Sequence, residues 1–240
     1  PIEGTEGGFD PFFSPDGKWL AFFADERLHK ISLRGGQAVR LAEAQKPYGG
    51  TWGSHNDIVF AADFGSELRV VSATNGSRAR TVGRRGTLLG GSDTKNYHWP
   101  CFLPEREAVL VSTGPLDRRV EIISIPEGEV LQRLEEPGTR PMYASSGHIL
   151  LGRSSDVYAL PFDLDRLDPT GPAVPVLNGV RTASEWGPHQ STIARDGTMA
   201  FIPGGALDAG TLVWADLEGN TTPALPGTRI YGTFQISHDG

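Results

Sequence analysis

Apolar residues along this chain come in short runs, punctuated by clusters of Gly, Pro, Asn, Asp and Ser. That rhythm predicts strands and turns, and no segment carries a helical apolar stripe of useful length. The first unit is the clearest. Phe9 to Ser14 reads as a strand, and Ser14-Pro15-Asp16-Gly17 as a turn with proline pre-set at its second position and glycine at its fourth. Lys18 to Ala24 is a second strand with little alternation, dense in Trp19, Leu20, Phe22 and Phe23, which predicts burial on both faces. Leu28 to Leu33 alternates apolar and polar, as a half-buried strand does. Gly35-Gly36 predicts a hairpin, because only glycine takes positive φ at both central positions without cost. Ala38 to Leu41 closes the unit as a short outer strand.

The same grammar returns down the chain. Ile58 to Ala61, Leu68 to Ser72 and an Asn75-Gly76 hairpin make a second unit, and Val109 to Ser112, Val120 to Ile125 and Glu127-Gly128 a third. His148 to Leu151, Val157 to Phe162 and Val174 to Leu177 make a fourth, with Asp163 to Gly171 as a longer connection. Thr198 to Ile202, Leu212 to Asp216 and Glu218-Gly219 make a fifth. Gly4-Thr5 precedes Asp16 by the same offset at which Gly227-Thr228 precedes Asp239. From Asp16 to Asp239 there are five steps, a mean period of about 45 residues, the length of one four-stranded propeller blade.

The expected fold is therefore all-β, a single β-propeller of four-stranded antiparallel blades. Its repeats run over about 9–46, 47–95, 96–138, 139–185 and 186–228, with a sixth begun at 229–240. The array opens and closes partway through a repeat, which predicts a segment of a propeller with six or more blades. Ser14 to Gly17, Arg195 to Gly197 and Ser237 to Gly240 are expected at equivalent turns.

Composition changes this picture little. The 31 glycines and 18 prolines are nearly twice the ordinary combined share of about 12%, and they sit at turn positions between apolar runs. A net charge of −7 argues against a nucleic-acid partner held by phosphate contacts. Cys101 is the only cysteine, so no internal disulfide is possible, and Trp99-Pro100-Cys101-Phe102 suggests a small buried hydrophobe. No apolar run is long enough for membrane insertion.

The Ser-Pro-Asp-Gly turn, the apolar strand after it and the Gly-Gly hairpin resemble the WD40-like repeats of TolB-type β-propellers. The carrying stretches are Pro1 to Phe23, Tyr97 to Pro104 and Tyr158 to Leu177. The resemblance is strongest to the C-terminal propellers of bacterial receptor-type serine/threonine kinases. It implies a non-catalytic module that binds a protein, peptide or small ligand, without cofactor or metal, in an extracytoplasmic setting. The chain departs from the usual motif at Asp57, Arg106 and Ser146, in the second, third and fourth units. A different reading is the gating propeller of a prolyl-oligopeptidase-like serine peptidase whose catalytic domain lies outside this chain. A third is a propeller enzyme with a metal in its own funnel.

Few motifs carry chemistry. Asp63-Phe64-Gly65 matches the metal-binding tripeptide of kinases, but the glycine-rich loop, strand lysine and catalytic-loop Asp are absent, so a turn is expected. No Gly-x-Ser-x-Gly elbow is present. Asn75-Gly76-Ser77 and Asn220-Thr221-Thr222 match glycosylation sequons, but at hairpins that want Asn for their geometry. His98 and His189 stand seven residues before Glu105 and Asp196, one place along from Asp10, Trp99, Arg140 and Gln190. Those six residues are expected at the start of innermost strands, where a propeller's funnel opens on its axis. They form a binding site, or else line a water-filled channel or pack between blades. Tyr48, Trp52, Tyr97, Trp99 and Trp186 are expected to fill wedges between blades or to form a rim for a partner.

Overall fold

The computed structural model describes residues 2–74, 78–85, 96–114, 119–182, 188–204, 210–216, 219–228 and 235–236. Among them, five antiparallel sheets follow one another as propeller blades. Blade 1 holds β1 (Phe9–Phe13), β2 (Trp19–Ala24), β3 (Arg27–Ser32) and β4 (Val39–Glu43). Blade 2 holds β5 (Gly50–Trp52), β6 (Asp57–Ala62), β7 (Glu67–Ser72) and β8 (Arg80–Arg84). Blade 3 holds β9 (Tyr97–Phe102), β10 (Ala108–Thr113), β11 (Arg119–Ser124) and β12 (Val130–Leu134). In blade 4, β13 (Thr139–Ala144), β14 (His148–Arg153) and β15 (Asp156–Asp163) are followed by β16 (Asp168–Pro169) and β17 (Val174–Leu177). Both of these last strands pair with β15, so the longer connection carries a two-residue strand of its own. Blade 5 holds β18 (Ser191–Ile193), β19 (Met199–Phe201), β20 (Val213–Ala215) and β21 (Thr221–Pro223).

Middle strands lack alternation because each of their faces packs on a neighbouring blade. In β6, Ile58, Phe60 and Ala62 enter the cluster shared with blade 1, while Val59 and Ala61 enter the one shared with blade 3. In β10, Val109 and Val111 face blade 2, while Ala108 and Leu110 face blade 4. Phe23 and Phe60 meet across the first seam with ring centroids 6.2 Å apart, and both are fully buried. Burying one such side chain contributes about 1.5–3 kcal/mol. Trp52 and Tyr97 are buried in the seams, as wedge fillers; Trp186 lies outside the described residues.

The turn from innermost to second strand recurs in every blade. In blade 1 the Gly17 amide donates to Ser14 O at 2.9 Å, and Ser14 Oγ donates to Asp16 Oδ1 at 2.6 Å. That hydroxyl, with the Lys18 amide, holds the Asp16 carboxyl below its ordinary range. Gly197 to Ala194, Gly147 to Ala144, Arg106 to Leu103 and Asn56 to Gly53 close the same turn in the other blades. Asn56 and Glu105 take left-handed φ where the Ser-Pro-Asp-Gly pattern is lost, which is how those blades keep the turn. The first two of the three expected equivalent turns thus coincide in role; Ser237–Gly240 lies outside the described residues. Asp63-Phe64-Gly65 is a turn between β6 and β7 with all three residues at positive φ, and Asp63 Oδ2 takes a 2.7 Å contact from Arg69.

Candidate functional site

Three innermost strands share a local device. Asp10, Trp99 and Arg140 each precede a proline, and each sits at φ 45–46°. The pairing register of β1, β9 and β13 shifts at the same place. Proline supplies no ladder donor, so an X-Pro step breaks the pairing and leaves a bulge that re-aims residue X. The conformation is strained for a residue with a Cβ and costs about 1 kcal/mol or more. Blade 2 meets the same demand with Gly49, at φ 84°. A Cβ on Gly49 would also stand 3.0 Å from Trp99 Cδ1, so glycine both supplies the turn and clears space for the indole.

The bulges aim Asp10, Trp99 and Arg140 into one axial cavity of about 90 Å³. Cys101, Thr192 and Gln235 also line it. Residues 101 and 192 each stand four before Glu105 and Asp196, so the count back from the turn could have found them. Gln235 comes from far along the chain: its Oε1 accepts the Phe13 amide at 2.9 Å. Ile236 packs on Ala194 and Ala200 of blade 5, so residues 235 and 236 stand between blades 5 and 1.

The charges in this cavity are set by burial. Burial pushes the Arg140 guanidinium below its ordinary pKa, while the negative charge of Asp10 and the neighbouring Cys101 pull it back up. Arg140 Nη1 donates to His189 O at 3.2 Å. Burial pushes the Cys101 thiol up, so it remains a thiol and not a thiolate nucleophile. The residue packs beside the cluster of blades 3 and 4 but is half-buried, where the sequence suggested a buried hydrophobe.

The two histidines stand elsewhere. His189 is fully buried at the seam of blades 4 and 5. Its Nε2 lies 3.1 Å from Arg140 O and its Nδ1 2.7 Å from Ser191 Oγ. A carbonyl can only accept, so Nε2 bears the proton and Ser191 donates to Nδ1. Burial and the nearby Arg140 charge push His189 down to about 3, a neutral clip between blades. His98 lies between Tyr48 and Trp99, at 4.7 and 5.2 Å ring to ring, across the seam of blades 2 and 3. Burial pushes it down to about 4. Gln190 is buried, and its backbone N–H donates to Arg181 O at 2.7 Å. Of the six residues expected at the funnel, Asp10, Trp99 and Arg140 line the cavity, while His98, His189 and Gln190 do not. Among the described residues, no cluster of three His, Cys, Asp or Glu could hold a metal ion.

No family model and no curated protein matches the chain. Solved structures do resemble it. A putative TolB from Agrobacterium tumefaciens is 15% identical with a TM-score of 0.65, over 94% of this chain and 82% of the other. TolB from Acinetobacter baumannii is 15% identical with a TM-score of 0.62, over 89% and 53%. A catalytically inactive virginiamycin B lyase from Staphylococcus aureus, solved with quinupristin, is 14% identical with a TM-score of 0.57, over 93% and 71%. These likenesses establish the β-propeller fold.

Proposed function

We propose that this propeller is a non-catalytic binding module whose axial cavity receives the carboxylate of a peptide end or small ligand. The observation that carries the reading is the repeated X-Pro bulge, which holds Asp10, Trp99 and Arg140 in a strained conformation on one cavity. Strain repeated at equivalent positions is what a preorganised site requires. Arg140 grips the carboxylate in a bidentate fork, Asp10 takes an amide or ammonium donor beside it, and Trp99 forms the apolar wall. The space suits one such head group, being the share of about three waters. The sequence resemblance supports a place in the extracytoplasmic sensor region of a bacterial serine/threonine kinase or in a TolB-like protein. The gating propeller of a serine peptidase is the second context compatible with the same fold.

The test is a thermal-shift and calorimetric titration with acetate, succinate and the tripeptide Ala-Ala-Ala. At least one of these is expected to bind, and R140A to abolish the binding while the fold persists. Failure of all three probes, or equal binding by R140A, would overturn the reading.

A further inference from the structure

The chain is acidic overall, but its charge is unevenly spread. From Arg27 to Arg85 there are ten Lys and Arg against four Asp and Glu, a net charge of +6; the remainder has twelve against twenty-five, a net charge of −13. The basic stretch covers most of blades 1 and 2. Where their outer strands meet, a cleft of about 550 Å³ opens, lined by Arg40, Arg69, Arg78 and Arg84 against only Glu43 and Glu67.

The two carboxylates are already engaged. Glu67 takes Arg69 Nε at 2.7 Å and Arg84 at 2.8 Å, and Glu43 takes Arg40 at 2.8 Å. Burial opposes the Glu67 charge, but Arg69 and Arg84 outweigh it and hold the carboxyl below its ordinary range. Arg69 is taken up by Glu67, Asp63 and the Glu43 carbonyl, but the other three arginines retain free donors. The Arg84 side chain is 72% exposed and that of Arg40 58%. Among the described residues no carboxylate pairs with Arg78, which is exposed at the cleft edge. Each guanidinium offers five N–H donors, more than one carboxylate can occupy.

We infer that this cleft is a second binding site, separate from the axial cavity, and that it takes an acidic, carboxylate-rich peptide segment. Arginine favours planar carboxylates held in a bidentate fork. A cleft of this size admits a few residues of extended chain. The lining has no aromatic ring on which a base could stack, so an acidic peptide fits better than nucleic acid. The local positive field also steers such a peptide to this side of the propeller.

The test is fluorescence anisotropy with an N-terminally labelled, C-terminally amidated ten-residue oligoglutamate, which offers the axial cavity no terminal carboxylate, an oligoglutamine blocked in the same way and a ten-nucleotide oligothymidylate. Oligoglutamate is expected to bind, more weakly as salt rises, and oligoglutamine not to bind. R78E is expected to weaken binding severalfold and R78E/R84E at least tenfold, while R140A leaves it unchanged. Arg78 has no ion pair to lose among the described residues, so R78E remains informative should the double variant unfold. Four results would overturn the proposal: no oligoglutamate binding, binding indifferent to R78E, binding lost in R140A, or tighter binding of the oligonucleotide. A sedimentation mass above the monomer that falls to the monomer in R78E would instead make a second copy the occupant, and would overturn it as well.

Discussion

The seam between blades 2 and 3 contains a buried ion cluster whose removal has a calculable cost. Glu121 on β11 is 1% exposed and accepts from Arg85, which follows β8, and from Arg133 Nε on β12 at 3.1 Å. Arg85 lies over the Tyr97 ring at 4.7 Å, with its side chain 17% exposed. Burial opposes its charge, but Tyr97 and Glu121 more than compensate and raise its pKa above the ordinary value. In Glu121→Ala, Arg133 is 61% exposed and simply rehydrates. Arg85 cannot, and keeps its charge in the seam without a counter-ion. Breaking a buried pair by deleting one partner costs about 3–5 kcal/mol, and the lower end applies because one of the two arginines escapes. For a domain of this size each kcal/mol shifts Tm by about 2–4 °C, so a loss of about 6–12 °C is expected in a thermal melt. Glu121→Leu combined with Arg85→Leu should recover most of it, since an apolar pair leaves no stranded charge. The reasoning fails if Glu121→Ala lowers Tm no more than Arg133→Ala, or if the two leucine substitutions are merely additive.

Two further outcomes follow from the same seams. The His189 Cδ2 atom lies 2.2 Å from where a Cβ on Gly152 would stand, so Gly152→Ala should displace the imidazole and destabilise the domain by about 1–3 kcal/mol, read as the urea midpoint; an unchanged midpoint would mean that the ring does not pack there. His98 and His189 stay neutral in the folded chain down to about pH 4 and pH 3, whereas in the unfolded chain both bind protons below about pH 6.5. Stability should therefore fall as pH drops from 6.5 towards 4, by up to about 1.4 kcal/mol per unit for each histidine. His98→Phe, which suits the Tyr48 and Trp99 rings, should remove one of these contributions. Parallel stability profiles for the wild type and His98→Phe between pH 6.5 and 5 would refute this.

The sequence by itself determined the blade. Runs such as Trp19-Leu20-Ala21-Phe22-Phe23 fit only strands packed on both faces, and Ser-Pro-Asp-Gly and Gly-Gly dictate local turns whose φ values need no distant partner. Spacing also put Asp10, Trp99 and Arg140 in register, because each repeat uses the same short-range bulge. The tertiary structure decided where neighbouring residues look. His98 stands one position from Trp99 on β9, and along a strand one position turns a side chain to the other face. The axial residues thus face the cavity while the histidines enter the seams, where desolvation keeps them neutral. The approach of Gln235 to Phe13 across 222 residues, and the meeting of Arg40 with Arg84 across one cleft, depend on how blades stand around an axis. No local pattern encodes such distances, because they are fixed by the packing of whole sheets.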